Sequence, residues 1–406
     1  MYKIQSAKVL KEVMGNYFLG MKDTSKKIAW CTSVGPAELL RSFGFEVHFP
    51  ENHGALLGAT RTAGDLIPET SKLGYSNDIC SYLTADIGSY LRKETPLKEH
   101  YGLNGPPKPD LIVYNTNQCR EVQDWFTYFA RELKCPIMGI NPPRHVDEVT
   151  QEEIDDVSAQ FKKLIPVCEG ITGQKFDLDR FKQTIRLSAE ATELWKKVLW
   201  TAKNSPAPIG FFDATIHMGP IVVLRGTQIA KDYYAGLLQE LETNVKNGSG
   251  IVAQENCRLY WDGMPIWGKL RALSDLFTQN SAAVVASTYC NSWVFDAFDE
   301  NHPFESSAKA YTEIFINRSE EAKQKILSQL IAEFRIDGII FHDAKTCANN
   351  SNSRFGMPQR IYETLGIPSL VIEGDLCDLR FYSEGQSITK IETFIEQIER
   401  AKLIPH

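Results

Sequence analysis

The sequence has no pair of cysteines at CxxC spacing, no GxxxxGK[ST] phosphate loop, no apolar run of membrane-spanning length and no stripe of Lys and Arg. The first absence leaves a zinc ribbon or a ferredoxin-type ligand run without support. The second leaves the chain without a phosphate-loop signature of its own. The N-terminal stretch MYKIQSAKVLKEVMGNYFLGMKD has neither an uninterrupted apolar signal region nor a cleavage site, so the expected location is cytoplasmic, with no membrane contact. A net charge of -7 without basic clustering argues against nucleic acid as a partner.

What is present is the composition of a packed protein, with 43% hydrophobic and 11% aromatic residues in a chain of 406. That length is long for one core, so two domains are expected. KKIAWCTSVGPAELLRSFGFEVHFP reads as strand, loop, short helix opened by Pro36, and a second strand ending at Pro50. PDLIVYNTNQCREVQDWFTYFARELKCPIMGINPP repeats the plan, with strands at 111 to 114 and 137 to 140 around a helix that turns Trp125, Phe126 and Phe129 inward. Such alternation implies a parallel sheet covered by helices. A charged, helical segment from about 150 to 204 follows, and NSPAP at 204 to 208 reads as a hinge. In the second half, GIVAQENCRLYWDGMPIWGKLRALSDLFTQNSAAVVAST gives a polar loop, a helix and a strand, and DGIIFHDAKTC begins another unit. The expected fold is α/β: two tandem Rossmann-like or flavodoxin-like parallel-sheet domains, 1–204 with the helical segment and 205–406.

Nine cysteines, at 31, 80, 119, 135, 168, 257, 290, 347 and 377, are dispersed and odd in number, unlike a disulfide framework. Two of them repeat a pattern. PDLIVYNTNQC and IDGIIFHDAKTC each place an acidic residue before a short apolar strand and a cysteine just past its end, nine residues after Asp110 and ten after Asp337. Ligands of open α/β sheets gather at the carboxyl ends of strands. Cys119 and Cys347 are therefore expected on a ligand-binding edge, one from each half, although a lone loop cysteine is more often a small space-filler. GYSNDICSYLTADIGSYL adds Cys80 at the opening of a helix capped by Ser76 or Asn77, where a thiolate is favoured. One cysteine from each of three loops is the arrangement expected for a four-iron four-sulfur (4Fe–4S) cluster with one iron open to substrate. Thiolate softness, and the lack of paired His and carboxylate ligands, favours iron-sulfur over zinc or magnesium.

AWCTSVGPAELL, FPENHGALLGATR, GYSNDICSYL, NTNQCREVQDWF, RLYWDGMPIW and the Cys347 loop together resemble the 2-hydroxyacyl-CoA dehydratase and benzoyl-CoA reductase family, in the family's order and over nearly the whole chain. The resemblance implies a subunit whose 4Fe–4S cluster, held between the two domains by Cys80, Cys119 and Cys347, acts on an acyl-CoA. It implies a related second subunit, giving a heterodimer, and an ATP-dependent iron-sulfur activator that delivers a low-potential electron. The reaction is then radical dehydration of an (R)-2-hydroxyacyl-CoA through a ketyl radical anion, or reductive dearomatisation of benzoyl-CoA.

Ser33 and Glu51 match the family's polar positions beside the cluster, at the ends of the first two strands. Glu51 is expected to donate a proton or hydrogen-bond a departing hydroxyl, and Ser33 to hold the thioester oxygen. His53, in PENHG, is expected as a proton donor and tilts the reading toward ring reduction; the plain alternative is a satisfied loop histidine. Cys31 reads as packing. Cys257 and Cys290 leave room for a double-cubane relative, Tyr260, Trp261 and Trp267 form an aromatic patch after the second-half strand, and His217 and His342 carry no motif. A reading of another class stands beside these: a non-catalytic or electron-relay partner that orients a catalytic sister.

Overall fold

The computed structural model of the protein describes residues 4–403. Two four-stranded sheets carry the fold. The first contains β1 (Ile28–Cys31), β2 (Glu46–His48), β3 (Leu111–Asn115) and β4 (Ile137–Ile140), in the order β2-β1-β3-β4. The second contains β5 (Cys257–Asp262), β6 (Ala282–Ser287), β7 (Gly338–Ala344) and β8 (Ser369–Gly374), in the equivalent order β6-β5-β7-β8. Every pairing is parallel, and the central strand β5 is buried along its whole length, as a sheet covered on both faces requires. The α/β expectation of two tandem parallel sheets holds. No helix among the described residues is long and apolar enough to cross a membrane.

The acidic residue ahead of each inner strand is a register device. Asp110 accepts the Ile28 amide at 2.9 Å on the neighbouring strand, and Asp337 accepts the Arg258 amide at 2.7 Å in the second sheet. Each aspartate also returns its own N–H to the same neighbour, to Ile28 O and Arg258 O, both at 2.8 Å. Lys27 and Lys402 close the two sites at 3.0 and 2.6 Å. In both sheets the strand order reverses between the inner pair, β1 with β3 and β5 with β7, so each half opens a crevice at the carboxyl ends of those strands.

Two readings change. The second strand stops at His48, and Pro50 opens the helix Pro50–Ala59, where a missing N–H costs nothing in the first turn. Residues 257–262, read as the end of a polar loop, are the central strand β5. Tyr260 and Trp261 are therefore buried within a strand instead of forming a patch after one. Residues 204–208 are tied to the second half: Glu255 accepts from Ser205 Oγ at 2.8 Å and from the Ala207 amide at 2.6 Å.

The helical segment bridges the halves. Its long helix Leu178–Trp200 starts at Asp177, whose carboxylate accepts the Asp179 and Arg180 amides, and buries Phe181, Ile185, Trp195 and Val198 at helical spacing. It packs on Ala37–Ser42 of the first half and on Gln228–Lys246 of the second. At the junction Glu38 and Arg225 are both fully enclosed, with Nε to Oε1 at 3.2 Å. Ser188 Oγ and Tyr311 O–H donate to the Glu38 carboxylate at 2.6 and 2.5 Å. The Arg225 guanidinium donates to Val222 O at 2.8 Å and Gly35 O at 3.3 Å, with the rings of Phe49, Trp293, Phe295 and Tyr311 within 5.8 Å of its carbon. Removing one partner of such a pair leaves the other charged and dry. Arg225→Met is expected to lower stability by about 3–5 kcal/mol, and Arg225→Met combined with Glu38→Gln by less than the sum of the singles. Urea denaturation of the four proteins tests this, and additive losses would show that the two side chains act separately.

Candidate functional site

A cavity of about 1040 Å³ opens along the carboxyl edges of both sheets. Ser33, Glu51, Cys80, Cys119 and Cys347 all line it. Of the nine free cysteines these three alone are partly exposed, while Cys31, Cys135, Cys168, Cys257, Cys290 and Cys377 are buried and none of those six lines the cavity. Cys257 lies in the core strand β5, and Cys290 Sγ is in contact with Thr215 Oγ1 at 3.7 Å.

Each of the three thiols sits at a turn into a helix. Cys119 follows β3 and precedes Glu121–Leu133, a helix that buries Val122, Trp125, Phe126, Phe129 and Ala130 on one stripe. Cys347 follows β7 and occupies the N-cap of the short helix Ala348–Ser351. Cys80 is itself at the N-cap of Ser81–Arg92, in place of the expected Ser76 or Asn77. The amide of Ser81, one of the first-turn N–H groups without an intrahelical acceptor, donates to Thr346 Oγ1 at 3.0 Å, from the neighbour of Cys347. Thr346 in turn donates to the buried Asp375 at 2.6 Å. This chain of bonds fixes the Cys80 helix against the Cys347 loop across the two halves.

Burial pushes all three thiols up, Cys347 to about 11, and the Cys80 and Cys119 thiols rise further through their fellow cysteines. The backbone N–H three residues on, at Leu83, Val122 and Asn350, opposes the rise in every case. The Asn350 side-chain amide donates to Cys347 Sγ at 3.4 Å. Gln118, beside Cys119, lines the cavity, and its Nε2 is a buried donor with no partner among the described residues. The thiols are therefore protonated unless a cation meets them, yet donors for anionic sulfur are in place. No group of three His, Cys, Asp or Glu among the described residues is arranged around a single ion. A donor set of three separate thiols fits a multi-iron cluster, in which each thiolate takes a different iron, better than one metal ion.

Ser33, in the loop after β1, donates its amide to both oxygens of Glu51, at 3.0 and 3.1 Å. Burial raises the Glu51 carboxyl to about 7, while the Ser33 hydroxyl and amide partly offset that rise. His53 is placed differently from the expectation. It is 1% exposed, does not line the cavity, and has Nδ1 on Asp86 at 2.5 Å and Nε2 on Thr95 Oγ1 at 2.9 Å. Asp86 also accepts from Trp125 Nε1 at 2.9 Å, so the imidazole ties two helices together behind the site.

Of the other groups on the wall, Trp267 belongs to the aromatic set singled out in the sequence, whereas Tyr82, Tyr289 and His217 carried no motif. Trp267 Nε1 donates to the Tyr82 hydroxyl, which also meets Tyr289, and all three rings line the cavity. His217 reaches it from the helix Phe211–His217, with Nδ1 bound to Tyr233 and burial lowering its pKa to about 4. His342 does not line it; its Nδ1 donates to Met264 O at 2.6 Å, fixing a residue that does.

Comparison with known proteins places this edge in a lineage. The family model described as 2-hydroxyglutaryl-CoA dehydratase, D-component, matches residues 32–398. The chain is 30% identical to the (R)-2-hydroxyisocaproyl-CoA dehydratase alpha subunit of Clostridioides difficile, over 97% of this chain and 95% of that one. It is 29% identical to a subunit of the benzoyl-CoA reductase of Thauera aromatica, over 96% and 93%. It is 28% identical to the alpha subunit of the lactoyl-CoA dehydratase of Anaerotignum propionicum, over 94% and 95%. With a match that runs from the end of β1 through every cavity loop named above, the chain belongs to the 2-hydroxyglutaryl-CoA dehydratase D-component family of acyl-CoA enzymes.

Proposed function

We propose that this chain is the catalytic iron-sulfur subunit of an (R)-2-hydroxyacyl-CoA dehydratase, working with a related second subunit and an ATP-dependent activator. The observation that carries the proposal is the convergence of the three partly exposed cysteines on the cavity that also holds Ser33 and Glu51. Cys80, Cys119 and Cys347 would hold a 4Fe–4S cluster. Bound there, it supplies one-electron chemistry and an open iron site for a substrate oxygen. The relatives' names supply the substrate class, and a volume of about 1040 Å³ exceeds what a small hydroxy acid alone would need.

The chain's own groups do the proton work. With its pKa near 7, the Glu51 carboxyl is part protonated at neutral pH, held by Ser33 so that its remaining oxygen capacity faces the cavity. It can give a proton to a departing hydroxyl, which then leaves as water. Ser33 acts first by orienting Glu51 through its amide and hydroxyl, and because it lines the same cavity it is assigned to hold the thioester oxygen. His53 is assigned a positioning role in the Asp86–Trp125 network. Its displacement from the cavity removes the argument that favoured ring reduction.

Three variants test the cluster assignment: Cys80→Ala, Cys119→Ala and Cys347→Ala are each expected to lose most bound iron and sulfide when purified anaerobically. Full iron retention in two of them would end it. Supplied with activator, ATP, reductant and 2-hydroxyisocaproyl-CoA, the assembled enzyme is expected to give an enoyl-CoA by mass spectrometry. A dienoyl product from benzoyl-CoA alone would reverse the choice of reaction.

Glu51 yields a pH prediction with a definite sign. Its folded pKa stands above the ordinary 4.5, so the folded state holds the proton more tightly than the unfolded chain. That stabilisation is complete below pH 4.5 and is lost as pH rises through about 7. Glu51→Gln, neutral throughout, is therefore expected to be more stable than wild type at about pH 8, by up to roughly 3 kcal/mol, and to lose that advantage in acid. The wild type is expected to lose turnover above neutrality, and the same variant, which has no proton to give, to turn over slowly at every pH without that fall. Parallel thermal-melt and rate profiles against pH check both, and parallel curves for the two proteins would remove Glu51 from the proton role.

A further inference from the structure

We infer that the outer mouth of the cavity, where Arg61 and Arg271 stand, binds the phosphates of the coenzyme A portion of the substrate. The inference rests on the acyl-CoA reading above and adds what that reading lacks, the anchor for the nucleotide end. The helix Pro50–Ala59 sets the distance. Glu51 lies in its first turn, and Asn52, Ala55, Leu56 and Ala59 line the cavity at i, i+3, i+4 and i+7, a single stripe down one face. The stripe runs from Glu51, Asn52 and Ala55, which are partly or wholly enclosed, to Ala59, which is exposed, as is Arg61 just beyond it. From Glu51 to Arg61 the helix and its last turn advance by about 15 Å. An extended pantetheine arm is of that order of length, and a wall of small and apolar side chains gives it room without charged competitors.

The opposite face of the same helix explains its closeness to the facing wall. A Cβ on Gly58 would lie 2.6 Å from Cys377 Sγ and 3.1 Å from Trp267 Cβ, so only glycine lets the helix approach that turn. The approach brings Arg61 Nε onto Gly268 O at 3.0 Å. The guanidinium is thereby fixed at the rim, and its two Nη groups have no protein partner among the described residues. Arg271, three residues beyond Gly268 and at the start of the helix Leu270–Gln279, lines the same rim. Its side chain is 90% exposed, and its ion pair is a loose one with Asp275 at 3.8 Å. Two guanidinium groups at one rim of a chain with net charge -7 form a local site for phosphate oxygens, which their planar donor forks match.

The test measures equilibrium binding of acetyl-CoA and of S-acetylpantetheine to the anaerobically purified complex, wild type and variants. Arg61→Gln and Arg271→Gln are each expected to weaken acetyl-CoA by about tenfold, the loss of charge-assisted bonds, without changing S-acetylpantetheine. Arg61→Lys is expected to fall between, and raising the salt should weaken acetyl-CoA in wild type more than in the double Gln variant. Unchanged acetyl-CoA affinity in both Gln variants, or equal weakening of both probes, would overturn the inference and leave the acyl-CoA reading standing. A wild-type complex that binds neither probe would overturn both.

Discussion

The Glu38–Arg225 pair is the constraint from which the placement of the cavity loops follows. Two opposite charges removed from water are tolerated only when each remaining lone pair and proton is met, so the groups that meet them cannot drift. Those groups come from separate segments: Gly35 from the loop after β1, Ser188 from the long bridging helix, Val222 and Tyr311 from the second half. Gly35 is two residues from Ser33. The backbone oxygen of Tyr311 also receives the Asn117 side-chain amide at 2.6 Å, and that amide also reaches Val34 O at 3.0 Å. The loops that carry Ser33 and Cys119 are thus held from behind by one buried polar network that spans both halves. A site built on such loops begins with its geometry already fixed.

The two halves repeat one another in their sheets and diverge at the edges. Asp110 and Asp337 set the same register with the same bonds, and Cys119 and Cys347 follow corresponding strands. The loops after the corresponding outer members of each inner pair differ. The first carries Ser33, bonded to Glu51, and the second carries Met264, whose carbonyl is occupied by His342. The Ser33–Glu51 pair, to which the proton step is assigned, therefore has no counterpart after the corresponding strand of the second half. Cys80 breaks the repeat as well, because it follows no strand, and its position depends on Thr346 and Asp375 of the other half. The three thiols come together only in the assembled chain, since neither half contains more than two of them.

Sequence patterns carried the sheets and the turns of the three cysteines, because each rests on a local signal, an acidic residue before an apolar strand or a thiol at a turn, whereas Ser33 and Glu51 were picked out by the family resemblance of their motifs. Strand β5 was hidden by Arg258 and Asp262, charged residues at buried positions. Their cost is met by Glu255, three residues before Arg258, and by partners distant in sequence, Ala202 O and Phe334 O for Arg258 and Thr288 for Asp262. His53 was misplaced for a different reason. PENHG reads as a loop that presents Glu51 and His53 together, but Pro50 starts a helix there. Two residues on a helix are about 200° apart, so when Glu51 faces the cavity His53 faces Asp86. Arg61 was illegible because ten residues separate it from Glu51, and only the helical stripe puts both on one cavity wall.

The same helix shows why the deep and outer ends of the cavity differ in kind. At its start, Glu51 is partly enclosed and fixed by two contacts from Ser33, in surroundings dry enough to raise its carboxyl to about 7. At its end, Arg61 has one anchoring bond and stands in solvent. A dry inner end magnifies every charge that develops there, which suits chemistry on an acyl group. A wet rim lets phosphates arrive and leave with their hydration only partly removed, which suits recognition of a carrier common to many acyl groups. Selectivity for one acyl group must then come from what lies between and beyond them at the enclosed end, where Tyr82, Tyr289 and Trp267 form a hydrogen-bonded aromatic wall. Family relatives with different acyl substrates would be expected to vary those rings more readily than the helix that spaces the two ends.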